Sequence, residues 1–182
     1  KLFNTKLPIH LLNEHSTEAE IKDLISLLSK QSVGLISDCG LPCIADPGAA
    51  LVHLAREKNI PIQTYIGPSS IILSLQLSGF SGQCFSFMGY LPRNTEELVK
   101  SLKMLEKRSF AEKMTIIFIE TPYRTKKIID TCKTSLRSST YFCMAQNIGS
   151  SKQKVISMPI HKWKKTEYIK EKEPTIFLIS SS

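Results

Sequence analysis

The chain has 182 residues, enough for one ordinary domain or two small ones with a real core. With 42% hydrophobic and 22% charged residues it is not a disordered chain, and no apolar run approaches the roughly 18 residues that a membrane-spanning helix needs. The net charge of +8 is unevenly placed: residues 1–88 carry 6 Lys+Arg against 7 Asp+Glu, and residues 89–182 carry 18 against 9. The excess therefore lies wholly in the second half, either as a solvated lysine surface or as a face that attracts an anionic partner. The opening stretch KLFNTKLPIHLLNEH has neither the apolar core nor the cleavage site of a signal peptide. Cys84, Cys132 and Cys143 sit in apolar or helical contexts and read as free thiols in a reducing cytoplasm. Cys39 and Cys43 have no second pair and no nearby histidine, so no metal site is expected.

In chain order, Ser16–Ser29 predicts a helix, capped by Ser16 or Thr17 with Glu20 as the capping-box acid and Ile21, Leu24, Ile25 and Leu28 as its apolar stripe. Val33–Ile36 predicts a short strand, Ser37–Gly48 a loop, Ala49–Lys58 a helix and Pro61–Ile66 a second strand. Gly67-Pro68 is a turn, Ser69 caps a helix to about Ser78, and Cys84–Met88 is a strand. Strands separated by helices of about ten residues predict βαβ units and a parallel sheet in the first half. Gly89–Asn94, GYLPRN, reads as a linker, which sets expected domains at 1–88 and 89–182. Beyond it come a basic helix over Thr95–Lys107, a buried strand over Met114–Ile119, a helix from Pro122 to about Lys133, and strands over Thr140–Ala145, Lys154–Met158 and Thr175–Ser180. More strands and fewer helices predict a mixed sheet there.

Three loops can carry chemistry because each follows an apolar strand, where open α/β sheets bind ligands. In Ser37-Asp38-Cys39-Gly40-Leu41-Pro42, Asp38 can accept hydrogen bonds from a ribose or an amine, and Gly40 lets backbone approach a ligand; a tight turn held by Asx hydrogen bonds explains the residues equally well. In Gly67-Pro68-Ser69-Ser70 a helix start can bind an anion or carboxylate, or be simply capped. In Glu120-Thr121-Pro122-Tyr123-Arg124, Arg124 can meet a phosphate or pair with Glu120. No G-x-G-x-x-G, phosphate-loop lysine, H-E-x-x-H or G-x-S-x-G motif is present. His10, His53 and His161 have no partners at ligand spacing.

GLISDCGLPCIADPG, Gly34–Gly48, resembles the S-D-x-G-x-P-x-I-x-D-P-G motif of the ribosomal small-subunit RNA cytidine 2′-O-methyltransferase branch of the tetrapyrrole methylases. The resemblance continues through IGPSSIILSLQLSGFSG, FSFMGYLPR and IFIETPYR, and includes LNEH at Leu12–His15. It covers nearly the whole chain, and a compact methyltransferase subgroup with S-G-F-x-G-Q and I-E-T-P-Y-R is especially similar. It implies two α/β domains with S-adenosyl-L-methionine in the cleft between them, contacted largely through backbone. The matching donor positions are Ser37, Asp38, Gly40, Pro42, Ser69, Ser70, Glu120, Thr121, Ala145, Pro174 and Thr175. Family members begin with a strand, a P-x-G-N-like loop and a helix that have no match here, so the expected fold lacks its first βα unit.

The resemblance implies methyl transfer to a ribose hydroxyl of ribosomal RNA in the small subunit, without a metal, by a cytoplasmic homodimer. The proton must go to a base, for which Glu14, His15 and Glu120 are candidates. Lys100, Lys103, Arg124, Lys126 and Lys127 would hold RNA phosphates. Methylation of a tetrapyrrole or another small anionic substrate, and a non-catalytic RNA-binding role, remain open alternatives.

Overall fold

The computed structural model describes residues 7–163 and 172–181. By contacts the chain forms two compact units, Lys1–Pro68 and Ser69–Ser182.

In the first unit, helix α1 (Glu18–Leu28) and helix α2 (Gly48–Glu57) pack through Ile21, Ile25, Leu51 and Ala55, with Leu24, Leu28, Leu35, Leu54 and Ile60 around them. Thr17 is the cap of α1: its hydroxyl accepts from the Glu20 amide at 3.3 Å, and the Glu20 carboxylate accepts from the Thr17 amide at 2.7 Å. The parallel sheet expected here is absent among the described residues. Val33–Ile36 and Pro61–Ile66 form no ladder, and Val33, Ile36, Ile62, Tyr65 and Ile66 are exposed. An apolar run becomes a strand only where another strand takes up its N–H and C=O groups, and neither run has that partner among the described residues.

The second unit holds helix α3 (Ser70–Ser78), strand β1 (Phe85–Tyr90), helix α4 (Thr95–Glu112), strand β2 (Thr115–Glu120), a 3₁₀ turn over Pro122–Arg124, helix α5 (Thr125–Ser135), and strands β3 (Tyr141–Gln146), β4 (Lys154–Pro159) and β5 (Thr175–Ser180). The strands make one mixed sheet in the order β1-β2-β5-β3-β4, parallel between β1 and β2 and antiparallel elsewhere. The mixed sheet expected for the second half is present. Its first strand and first helix come from residues assigned by sequence to the first half, so the division at Pro68/Ser69 falls before the expected 88/89. GYLPRN is not a linker: Gly89 and Tyr90 end β1, and Leu91 is buried in the core below α4.

Both faces of the sheet are covered, which is why β2, β3 and β5 read as nearly unbroken apolar runs. Strand alternation sends Ile116, Phe118, Phe142, Met144, Phe177 and Ile179 to the face packed by Leu98, Leu102 and Leu105 of α4 and Ile128 and Ile129 of α5. The intervening Ile117, Cys143, Ile176 and Leu178 meet Ile71 and Leu75 of α3. Phe177 lies at the centre of the first layer, stacked on Phe118 at 5.5 Å and on Phe142 at 5.8 Å between centroids. Asn94 caps α4 by accepting from the Glu96 and Glu97 amides. That helix runs to Glu112, five residues past its expected end, because Leu105 and Ser109 stay buried against the sheet. All five cysteines are free, and Cys132 and Cys143 are buried. Burial pushes the Cys143 thiol up to about 12 and Cys132 above its ordinary range, so neither is a reactive thiolate at neutral pH. Among the described residues no helix is long and apolar enough to cross a membrane.

Phe177→Ala removes a ring stacked on two others in a closed layer. It is expected to lower unfolding free energy by about 3–5 kcal/mol, read from urea denaturation of the parent and the variant.

Candidate functional site

Strand directions put one end of the second unit's sheet at the disposal of a ligand. β1, β2 and β3 finish there and β4 and β5 begin there. In register, Glu120 faces Thr175, Thr175 faces Gln146 and Gln146 faces Lys154, a row across four strands. Of the expected donor positions, Glu120, Thr121, Ala145, Pro174 and Thr175 are thereby brought to this one edge. Ala145 and Thr175 are buried, so Ala145 has only backbone to offer. Gln146 is the polar residue that extends this set: its Nε2 donates to Thr175 Oγ1 at 3.0 Å, and that hydroxyl donates to the Glu173 carbonyl at 2.8 Å. Its signal in the sequence is a glutamine closing the apolar run YFCMA.

The loops at this edge are held together by side-chain charge. Glu120 is buried to 1% side-chain exposure, and Arg124, at 18%, sets Nη1 2.9 Å from Glu120 Oε2. The contact is an ion pair and lacks the alignment of a hydrogen bond. Glu120 Oε1 accepts from the Thr121 amide at 2.7 Å. Arg124 Nη2 donates to the Pro92 carbonyl at 2.9 Å, and Lys127 Nζ to the Arg93 carbonyl at 3.1 Å. The Lys172 amide donates to the Pro122 carbonyl, and the Asn147 amide to the Pro174 carbonyl. Of the two roles open to Arg124, pairing with Glu120 is realised. Lys126 pairs with Asp130 at 3.0 Å. Lys100 and Lys103 are exposed on α4.

Helix α3 begins at Ser70 with Ser69 in the cap position, φ −125° and ψ 117°, but without a capping bond from the Ser69 side chain. The simple capping role is therefore not made, and the first amides of α3 have no side-chain acceptor at the cap.

In the first unit the Ser37–Gly48 loop is organised by Asp46. Its Oδ1 accepts from the Cys43 amide at 3.0 Å and the Gly48 amide at 2.9 Å. Burial alone would raise the Asp46 carboxyl, but those two amides and the Ser37 hydroxyl hold it below its ordinary range. A Cβ on Gly48 would come 2.8 Å from Leu35 and 2.9 Å from Asp46 Oδ1, so this glycine permits the close turn. The Asx bonds of the loop thus belong to Asp46, not to Asp38, which is exposed beside Gly40 at φ +79°. Ser37 donates to the Cys39 carbonyl, and Pro42 is half-buried. Glu14 and His15 are exposed neighbours, 3.6 Å apart, with the His15 amide donating to Asn13.

Arg124→Ala leaves the Glu120 carboxylate buried without a countercharge, and an expected loss of about 3 kcal/mol is checked by denaturant unfolding. Adding Glu120→Gln should recover most of that loss. Asp46, with its folded-state affinity for protons lowered, stabilises the loop when ionised. That contribution is complete above the ordinary carboxylate range and falls away as pH drops below about 4. Thermal unfolding across pH should show this acid-side loss in the parent and not in Asp46→Asn.

No protein-family model matches the chain. It is 36% identical over 125 residues to the ribosomal RNA small subunit methyltransferase I of Thermotoga maritima, an alignment covering 67% of this chain and 53% of that protein. Identity to the protein of the same name in Escherichia coli O157:H7 is 26% over 181 residues, covering 97% and 62%. To that of Bacillus subtilis it is 33% over 129 residues, covering 70% and 43%. The chain spans about half the length of the curated relatives it matches. Among solved structures it resembles the methyltransferase CobJ, with TM-score 0.61 and 11% identity over 90% of this chain and 70% of that one. Diphthine synthase gives TM-score 0.61 and 15% identity, over 90% and 65%. The uroporphyrin-III C-methyl transferase of Thermus thermophilus, solved with S-adenyl homocysteine, gives 0.55 and 12%, over 90% and 72%. Identities this low speak for the fold alone. By sequence the chain belongs to the family of the ribosomal RNA small subunit methyltransferase I proteins, and its fold is that of the tetrapyrrole methylases.

Proposed function

We propose that this chain is part of an S-adenosyl-L-methionine-dependent methyltransferase that modifies a ribose 2′-hydroxyl of small-subunit ribosomal RNA. The observation that carries the reading is the 36% identity over two thirds of the chain to a protein named a ribosomal RNA small subunit methyltransferase; the ribose 2′-hydroxyl is taken from the motif resemblance at Gly34–Gly48. The donor's sulfonium makes its methyl group electrophilic, so the protein has to align it with a hydroxyl and accept a proton.

Each unit by itself offers groups of the kinds the donor needs. Asp38 offers an exposed carboxylate for a ribose or the methionyl amine, and the start of α3 at Ser69 and Ser70 offers amides for the methionyl carboxylate. Ser37, Gly40, Pro42, Thr121, Ala145, Pro174 and Thr175 offer backbone groups. For the proton we favour Glu14 and His15 over Glu120. Both oxygens of Glu120 are engaged, by Arg124 and by the Thr121 amide, whereas Glu14 and His15 are exposed. Lys126, Lys127, Lys100 and Lys103 supply cations for RNA phosphates in the half with the excess charge. Arg124 contributes by ordering the loops. The same reading places the protein in the cytoplasm as a homodimer, on family resemblance.

The test is mass spectrometry of small-subunit ribosomal RNA from cells with and without the gene, together with calorimetric titration of the full-length protein with S-adenosyl-L-methionine. One ribose methylation should vanish with the gene, return with the parent gene, and fail to return with a Glu14→Gln/His15→Ala double variant that still binds the donor. Unchanged RNA methylation overturns the reading.

A further inference from the structure

We infer that Tyr123 is a stacking platform for one unpaired base of the RNA, beside a groove that takes the adjoining nucleotide backbone. This rests on the ribosomal RNA reading above and adds to it a residue and a mode of recognition. Tyr123 occupies the 3₁₀ turn that leaves β2 at the candidate edge, and it is 79% exposed. No described residue stacks on its ring or bonds to its hydroxyl, so neither core packing nor a structural hydrogen bond accounts for the ring's position.

The turn itself is firmly held. Pro122 fixes the backbone on one side of Tyr123, the Arg124 amide donates to the Thr121 carbonyl at 2.9 Å, and the Arg124 guanidinium is anchored to Glu120 and Pro92. An exposed aromatic ring on a rigid support loses little freedom on binding, which is what a stacking platform needs. Beside it lies a shallow, open groove whose lining includes Tyr123, Lys126, Lys127, Asp130, Thr95 and Thr131. Its chemistry is that of a nucleotide: an aromatic face for a base, ammonium groups for a phosphate, and hydroxyls for a sugar. Asp130 is paired with Lys126 and so does not leave a bare negative charge in the groove.

Bases stack on aromatic side chains irrespective of sequence, and phosphate contacts alone set the dependence on salt. The two contributions therefore separate in one experiment. Affinity of the full-length protein for a small-subunit ribosomal RNA transcript is measured over a salt series for the parent, Tyr123→Ala, Tyr123→Phe and Lys126→Ala/Lys127→Ala. Tyr123→Ala should weaken binding about tenfold at every salt concentration with the slope unchanged, and Tyr123→Phe should match the parent because the ring face does the stacking. The double lysine variant should flatten the slope by about two units if both lysines touch phosphate. Thermal unfolding of the Tyr123 variants should match the parent, since the side chain is 79% exposed and no described residue stacks on its ring. Equal affinity of Tyr123→Ala and parent, or a loss in Tyr123→Phe as large as in Tyr123→Ala, overturns this inference while parent binding leaves the RNA reading standing. A parent that binds no ribosomal RNA overturns both.

Discussion

A carboxylate that ends a buried strand cannot stay charged there without a partner, and Glu120 meets that requirement through Arg124. Removing one partner of a buried pair costs several kcal/mol, although the intact pair adds little net stability over an apolar substitute. Its effect is therefore on geometry. To reach Glu120, Arg124 must stand four residues later at the end of a tight 3₁₀ turn, and Pro122 supplies the fixed backbone angle. With one nitrogen on Glu120, the guanidinium has another for the Pro92 carbonyl, so the loop after β1 is tied to the turn after β2. The planar fork of arginine suits this double duty in a way a lysine ammonium does not. The Lys172 amide on the Pro122 carbonyl brings the approach to β5 to the same turn. Three loops at the candidate edge thus meet at one turn, which the ion pair braces.

The second unit was legible in the sequence because its strands are buried on both faces. IIFI, FCMA and TIFLI have no room for polar alternation, and each is a strand of the sheet. The edge strand is legible as far as Met88, but Gly89–Asn94 reads as a linker although the segment pairs in parallel with β2 as far as Tyr90. Pairing is a property of the neighbour, and a single strand's composition does not contain it. The same limit acts in reverse at Val33–Ile36 and Pro61–Ile66, where apolar, β-branched residues promise strands and no ladder forms among the described residues.

The candidate site was legible as a set of positions more than as a set of roles. Asp38 and Asp46 lie in one loop and both suit an Asx turn. Only the structure shows that Asp46 carries the turn, through the Cys43 and Gly48 amides, and that Asp38 does not share in it. Arg124 looked equally fit for a phosphate or for Glu120, a choice that depends on whether the side chains lie on the same side of the turn. Gln146 was hidden because a glutamine at a strand end is common, and its meaning comes from lying opposite Thr175 in the register.

Charge shows the same separation between what a count gives and what an arrangement does. The second half's 18 Lys+Arg against 9 Asp+Glu create a field that attracts polyanions over distances of about a Debye length, whatever each side chain touches. At contact distance the individual cations differ. Arg124 is committed to Glu120, Lys127 reaches the Arg93 carbonyl and Lys126 pairs with Asp130, while Lys100 and Lys103 lie exposed on α4. The Lys126–Asp130 pair is exposed and competes weakly with a phosphate, because exposed pairs contribute only about 0–1 kcal/mol, and Lys127 makes a single bond to a backbone carbonyl. Arg124 cannot exchange its contacts for a phosphate, because its release would strand a buried carboxylate. The cations best placed to follow an RNA backbone are therefore the ones whose present partners are weak, and the one most deeply engaged keeps the surrounding loops in the shape that presents them.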